Sequence, residues 1–118
     1  MIFGQGEIVL AFFPHAIGGV AKKRPVLIVQ SDFYNVRMAN RLVAEVTGNL
    51  AHSSDPASVF VDVATPEGKA TGLLKSSVIS CLNLATIHES RIDRVIGGLS
   101  PNLWLQVEGS LMTALGLK

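Results

Sequence analysis

An arginine that precedes a proline and a buried strand is the first candidate for chemistry in this chain. Arg24 and Pro25 stand in the segment KKRPVLIVQSD, residues 22–32, where an unbroken apolar run follows the proline. Proline has a fixed φ and no backbone N–H, so it suits a strand start and biases the residue before it towards extended backbone. The run indicates a strand buried on both faces. Since a guanidinium fork matches phosphate oxygens, the pattern predicts a phosphate-binding arginine, with a solvated arginine paired to Glu7 or Asp32 as the alternative.

The second candidate is a threonine that ends a predicted strand. The segment RLVAEVT, residues 41–47, alternates two sets of side chains and stops before Gly48, which is typical of a strand. Threonine is common in strands because of its β-propensity alone. Thr47 therefore gains a functional interpretation only if it lies near Arg24, and adjacent strands of a small barrel would bring the two together.

Basic residues are concentrated in the first third of the chain. Because the formal net charge is only +1, nucleic-acid binding would have to depend on a local patch. The candidates for that patch are Lys22, Lys23, Arg24, Arg37 and Arg41. An apolar fraction of 48% beside 16% charged residues also indicates apolar surface that is covered in an oligomer.

The remaining polar residues show no metal-binding or nucleophilic pattern. The histidines are scattered, and only His52, in the polar segment 48–57, is placed to reach the same cleft when that segment closes. Cys81 is the only cysteine, which fits a reducing cytoplasm, and neither it nor Ser31 has a neighbouring base. The apolar run at 8–13 is too short for a signal peptide or a membrane span. We therefore expect a soluble cytoplasmic protein without metal or cofactor.

Hydrophobic periodicity predicts short strands followed by one helix. The predicted strands span residues 7–13, 24–30, 41–47, 58–63, 76–81 and 84–87. Between them we expect a loop at 14–21, a turn or single helical turn at 31–35, a mobile loop at 48–57 and a turn at 66–71. Ser100 and Pro101 begin an amphipathic helix that Gly116 ends. These elements favour one domain, residues 1–118, that is mainly β: a small antiparallel barrel with a C-terminal helix packed against it.

Taken in order, these segments resemble a family. GEIVLAFF, KKRPVLIVQSD, RLVAEVTGNL, SSVISCLNLATI and RIDRVIGGLS are similar to the MazF/PemK toxins of bacterial type II toxin–antitoxin systems over nearly the whole chain. The resemblance implies an SH3-like barrel of the CcdB/MazF type that forms a homodimer. It also implies a metal-independent, sequence-specific endoribonuclease that cuts single-stranded RNA, usually mRNA, and a cognate antitoxin whose C-terminal segment lies along the dimer groove.

The resemblance also implies roles for individual residues. Arg24 and Thr47 match the catalytic arginine of the RP motif and the catalytic threonine or serine that ends the third strand. Asn83 matches a polar residue that reads bases. The expected RNA contacts are Lys22, Lys23, Asn49, His52 and Asn83. The first loop departs from many relatives, which carry an acidic residue shortly before the arginine where this chain has residues 18–21, GGVA.

Two other functions are compatible with the same kind of barrel. A CcdB-type gyrase poison binds a protein, cleaves nothing and has no need of Arg24. It relies on its C-terminal helix, which here ends in residues 115–118, LGLK, without a distinctive polar tip. The other alternative is a catalytically silent barrel that binds nucleic acid.

Overall fold

The fold is described by a computed structural model that covers residues 2–12 and 22–117. Over these residues the strands are β1 Glu7–Phe12, β2 Lys23–Ile28, β3 Asn40–Thr47, β4 Ser58–Val61, β5 Ser77–His88 and β6 Ile92–Gly98. The helices are α1 Asp32–Asn35, α2 Pro66–Ala70 and α3 Pro101–Leu115, with a 3₁₀ turn at Glu89–Arg91. The loop predicted at 14–21, which contains His15, lies outside the described residues.

All six strands of the described chain form one antiparallel sheet in the order β4-β5-β3-β2-β1-β6. The predicted hairpin of the first two strands is present, with Ile8 opposite Leu27. The predicted fold class, mainly β with a C-terminal helix, is confirmed, and the curved sheet with its packed helix agrees with an SH3-like description. No helix among residues 2–12 and 22–117 is long and apolar enough to cross a bilayer.

The structure differs from the predicted secondary structure at three elements. The separate strand predicted at 84–87 is the second half of β5. Both halves of β5 pair with β3, and the residues Cys81 to Asn83 between them bulge out of the ladder. Such a bulge bends a strand without ending it. The predicted turn at 66–71 is the short helix α2, because the Thr65 hydroxyl accepts a hydrogen bond from the Gly68 N–H at 3.0 Å. Strand β6 was not predicted at all.

The segment predicted as a long mobile loop, residues 48–57, is a series of hydrogen-bonded turns. The backbone N–H groups of Ser53 and Asp55 donate to the carbonyls of Leu50 and His52, each at 3.1 Å. At the end of the segment Ala57 is buried, and its N–H donates to the Asp55 carboxylate at 2.8 Å. The turns therefore give this segment a defined path between β3 and β4.

The core lies on both sides of the sheet. On one side Leu27 and Ala44 pack under the buried residues Leu103 and Val107 of α3. On the other side a second cluster is formed by Val9, Ala11, Val26, Ile28, Val43, Ile87 and Ile92. Neighbouring residues of β2 thus face opposite clusters and both are buried, which confirms the prediction for the run after Pro25.

The two ends of α3 follow the sequence signals. Its N-cap Ser100 accepts a hydrogen bond from the Leu103 N–H at 3.1 Å, and Pro101 occupies the first turn. Gly116 ends the helix in the left-handed conformation, at φ 68°. Cys81 lies in the core beneath this helix, and burial raises the pKa of its thiol to about 11. Burial and the raised pKa both disfavour the thiolate, so Cys81 is not suited to act as a nucleophile.

Arg41 does not belong to a basic surface patch, contrary to the sequence-based prediction. It is 1% exposed; its Nε donates to the Phe3 carbonyl at 3.0 Å and a terminal nitrogen donates to the Met38 carbonyl at 2.8 Å. A second terminal nitrogen lies 3.6 Å from the Glu89 carboxylate. The buried guanidinium is satisfied by these acceptors, so it ties the N-terminal segment to β3.

We predict that Arg41→Ala lowers the free energy of unfolding by about 3 kcal/mol or more, because it removes several buried hydrogen bonds and leaves a cavity. Urea unfolding followed by circular dichroism measures the change. Arg91→Ala is the control, since Arg91 is exposed, and it should stay within about 0.5 kcal/mol of the unsubstituted protein. Similar small changes for both variants would contradict a structural role for Arg41.

Candidate active site

A pocket of about 460 Å³ opens at one end of the sheet. Its walls are the beginning of β2 (22–25), the end of β3 (46–48), the segment that leads into β5 (72–75), and Arg94 with Ile96 of β6. These segments are distant in sequence, and sheet pairing brings them together. The pocket therefore collects polar side chains from four parts of the chain.

Strand register brings Arg24 and Thr47 to this pocket. In the β2–β3 ladder Val26 lies opposite Glu45, and the register continues through Leu27 with Ala44. If this register is continued by two residues from the pair Val26–Glu45, towards the beginning of β2, Arg24 lies opposite Thr47. Both residues line the pocket, so the cleft that the sequence interpretation required is present, while the chemical role of each residue stays a prediction.

The Arg24 guanidinium makes no hydrogen bond or ion pair with the residues that the structure describes. Its Nε is buried, and it has no hydrogen-bond partner among residues 2–12 and 22–117. The acidic partners considered from sequence bind other groups: the Glu7 carboxylate accepts from the Gly4 N–H at 2.6 Å, and the Asp32 carboxylate accepts from the Gln5 N–H at 2.9 Å. The hydrogen bonds to Asp32 lower the pKa of its carboxyl group. A buried donor without an acceptor is costly, so Arg24 is suited to bind an anion that enters the pocket.

Thr47 is held at the end of β3 by a local hydrogen bond. Its Oγ1 accepts from the Asn49 N–H at 3.1 Å, an arrangement that fixes the hydroxyl relative to the backbone. The Asn49 carboxamide oxygen in turn accepts from the Ala51 N–H at 3.0 Å. Because Oγ1 is an acceptor in this turn, its own O–H is available to donate to a ligand.

The pocket is strongly positive. The cations that line it are Lys22, Lys23, Arg24, Lys75 and Arg94, and none of its lining residues is Asp or Glu. At its rim Lys23 and Arg94 share the Asp93 carboxylate, at 3.4 and 2.8 Å. In the part of the chain that the structure describes, the other three cations form no ion pair. Clustered cations around a concave surface attract and concentrate anions.

Four of the seven sequence-predicted site residues line the pocket, namely Lys22, Lys23, Arg24 and Thr47. The other three do not. Asn49 and His52 lie exposed in the turns after β3, and Asn83 is exposed in the β5 bulge, where its side chain donates to the Ser80 hydroxyl at 2.9 Å. No cluster of possible metal ligands occurs within the described ranges.

Sequence reasoning missed two of the pocket cations. Arg94 belongs to β6, where it pairs with Leu10, and the failure to recognise that strand concealed it. Lys75 lies between α2 and β5, in a segment between the predicted turn at 66–71 and the predicted strand at 76–81 for which no element was predicted. Recognition of β6 would have found Arg94, but nothing in the sequence near Lys75 indicates that its side chain lies over Gly48.

Known proteins similar to this chain share one family. The family described as "PemK-like, MazF-like toxin of type II toxin-antitoxin system" matches residues 4–115. The chain is 31% identical over 119 residues to "Endoribonuclease MazF6" of Mycobacterium tuberculosis (strain ATCC 25618 / H37Rv), covering 99% of this chain and 100% of that protein.

Solved structures agree with that match. "Mycobacterium tuberculosis toxin MazF-mt6" superposes with a TM-score of 0.77 at 27% identity, over 95% of this chain and 98% of the other. An "Endoribonuclease in complex with its cognate antitoxin from Mycobacterial species" has the same fold, with a TM-score of 0.75 at 21% identity over 98% and 96% of the two chains. The chain therefore belongs to the PemK-like, MazF-like toxin family of type II toxin–antitoxin systems.

Proposed function

We propose that this chain is an endoribonuclease toxin that cuts single-stranded RNA, chiefly mRNA, at specific sequences in the cytoplasm, with Arg24 and Thr47 as its reacting centre. The observation that carries the proposal is the buried Nε of Arg24, which has no partner within the described ranges and lies in a pocket shared with Thr47. Family membership supports the toxin function, and the names of the similar mycobacterial proteins support the reaction. An anionic substrate agrees with the surplus of cations around the pocket.

RNA supplies its own nucleophile for this reaction. The 2′-hydroxyl attacks the adjacent phosphorus in line, a new P–O2′ bond forms, and the P–O5′ bond breaks. The hydroxyl gives up a proton and the leaving 5′-oxygen gains one, so the products are a 2′,3′-cyclic phosphate and a free 5′-hydroxyl. This balance needs no bound metal, because charge stabilisation and positioning can come from side chains.

Arg24 and Thr47 suit different parts of that reaction. Arg24 is permanently protonated, so its role is to stabilise the negative charge that develops on the phosphoryl oxygens. Thr47 is a poor base, and its free O–H positions a phosphoryl oxygen or the 2′-hydroxyl. With no group of near-neutral pKa assigned to the proton transfers, turnover is modest, which is sufficient for a toxin that needs only occasional cuts.

The partners follow from the same family. We infer a homodimer with a cognate antitoxin whose C-terminal segment lies along the dimer groove. The type II family description supports this partner, and one protein of the same fold has been solved with its cognate antitoxin. The exposed apolar side chains of the chain, among them Leu82 and Leu105, give such contacts surface to bury.

We predict that purified protein in EDTA cuts a long single-stranded RNA into discrete fragments that carry 5′-hydroxyl ends. Gel electrophoresis shows the fragments, and sequencing of their 5′ ends gives the recognised sequence. Shifted but intact RNA would contradict the proposal and favour a silent binder. Intact RNA together with inhibited DNA supercoiling would contradict it in favour of a gyrase poison.

We predict that Arg24→Gln lowers kcat by about 100-fold or more, because it removes the fixed charge from the phosphoryl oxygens. The melting temperature should not fall, since the substitution removes a buried donor that has no partner among the residues described by the structure. Single-turnover cleavage and thermal unfolding measure the two quantities. Arg91→Gln, outside the pocket, is the matched control, and full activity of Arg24→Gln would rule out this centre.

Thr47→Val should lose most activity while Thr47→Ser keeps most of it. The two side chains differ in the hydroxyl, and only serine can donate to the substrate and accept the Asn49 N–H. Cleavage rates of the two variants, compared at equal folded fraction, test this expectation. If valine supports the rate of serine, the Thr47 hydroxyl has no part in the reaction.

A further inference from the structure

We propose that Lys75 is a phosphate-binding residue of this site, which holds a backbone phosphate of single-stranded RNA next to the phosphate that Arg24 and Thr47 contact. The inference rests on the proposed function and adds one residue, Lys75, to those proposed to contact the RNA. It assigns a role to a residue that the sequence interpretation did not consider.

Lys75 lies directly over Gly48, the residue after Thr47. A Cβ atom built on Gly48 would fall 2.7 Å from the Lys75 Nζ and closer still to its Cε. Because Gly48 has no side chain, the end of the Lys75 side chain occupies this space and lies against the backbone next to Thr47. Both residues line the pocket, and the Lys75 side chain is exposed to incoming ligand.

The backbone that carries Lys75 is firmly positioned. Gly72 has φ +74°, and a Cβ there would collide with the Ile96 carbonyl of β6. Between Gly72 and α2, the buried Thr71 donates its hydroxyl to the Gly68 carbonyl at 2.6 Å. After this turn the Ser77 hydroxyl donates to the Lys75 carbonyl at 2.9 Å. Lys75 therefore projects from a segment packed against β6 rather than from a free loop.

A second contact also fastens α2 from its other side. The Glu67 carboxylate accepts from the Ser100 hydroxyl at 2.7 Å, which links α2 to the first turn of α3. Contacts with β6 at Gly72 and with α3 at Glu67 thus hold the part of the wall that precedes Lys75.

The arrangement brings two cations from different parts of the chain to the pocket that Thr47 lines. Arg24 comes from the beginning of β2, and Lys75 reaches the pocket over Gly48, the residue after Thr47. Within the described residues Lys75 forms no ion pair that would neutralise it. A lysine is a point charge without the fork of arginine, which suits it to hold a neighbouring phosphate while Arg24 acts on the scissile one.

Steady-state cleavage of a short RNA by the unsubstituted protein and by Lys75→Gln tests whether Lys75 binds phosphate. We expect Lys75→Gln to raise KM about tenfold at low salt and to leave kcat within a few-fold of the unsubstituted value. Lys75→Arg should restore KM. Lys69→Gln is the matched control, because it removes the same charge from a side chain that is exposed on α2 and does not line the pocket.

The salt dependence of binding separates a phosphate contact from a structural effect. Binding is measured on 2′-O-methyl RNA, which cannot be cleaved, so this readout does not depend on catalysis. Loss of one phosphate contact should reduce the slope of log K against log salt by about 0.7 on a single strand. An unchanged KM and an unchanged slope for Lys75→Gln would overturn the proposal, whereas absence of cleavage by the unsubstituted protein would overturn the nuclease function instead.

Gly48→Ala tests the geometry itself. Its new methyl group displaces the Lys75 ammonium, so we expect the same rise in KM and the same loss of slope as in Lys75→Gln. In a protein that already carries Lys75→Gln, the alanine should have no further effect. An equal loss in both backgrounds would show that Gly48 acts on Thr47 rather than on Lys75, and the proposed placement would be wrong.

Discussion

The register between β2 and β3 is the constraint on which the site depends. A slip of one residue would exchange the faces of a strand, and here both faces of β2 are buried, with Val26 and Ile28 in one cluster and Leu27 in the other. Side chains of different shape fill each face, so the slipped pairing would misplace all of them. Apolar residues that lie in the core therefore decide where Arg24 stands relative to Thr47.

The arrangement of charges around the pocket lowers the stability of the folded protein. Over residues 2–12 and 22–117 the buried Nε of Arg24 has no acceptor, and a donor left in that state costs about 1–3 kcal/mol of a typical stability of about 5–15 kcal/mol. Asp93 relieves the repulsion only at the rim, where it contacts Lys23 and Arg94. Lys22, Arg24 and Lys75 form no ion pair within the described residues, so an anion that enters the pocket would balance their charge, as a phosphodiester does in the proposed function.

Local signals in the sequence predicted the parts of this structure that local chemistry decides. Pro25 marked the start of β2, Ser100 and Gly116 marked the ends of α3, and Thr47 was correctly placed at a strand end. Strand β6 was missed because its paired glycines and its charged residues are poor strand formers, and pairing with β1 overrides that preference.

The remaining errors have the same cause. Arg41 appeared to be a surface cation because charged residues usually are, and its burial depends on the Phe3 carbonyl, which is 38 residues away. Lys75 could not be recognised because its position follows from the packing of α2 against β6 and from the space over Gly48. Contacts between distant segments thus decided what one-dimensional patterns left open.

The division of polar residues between the pocket and its surroundings bears on how such a protein could select a sequence. Phosphates are identical at every nucleotide, so a pocket of cations orients the backbone without reading bases. Discrimination must come from groups outside it, and the exposed residues Asn49, His52 and Asn83 lie there. Asn83 is already oriented by Ser80 within the β5 bulge, at 2.9 Å, so its amide can be presented without further ordering. In the proposed nuclease, reaction in the pocket and recognition by separate surface groups would let substitutions at the surface change the target while the Arg24–Thr47 pair stays intact.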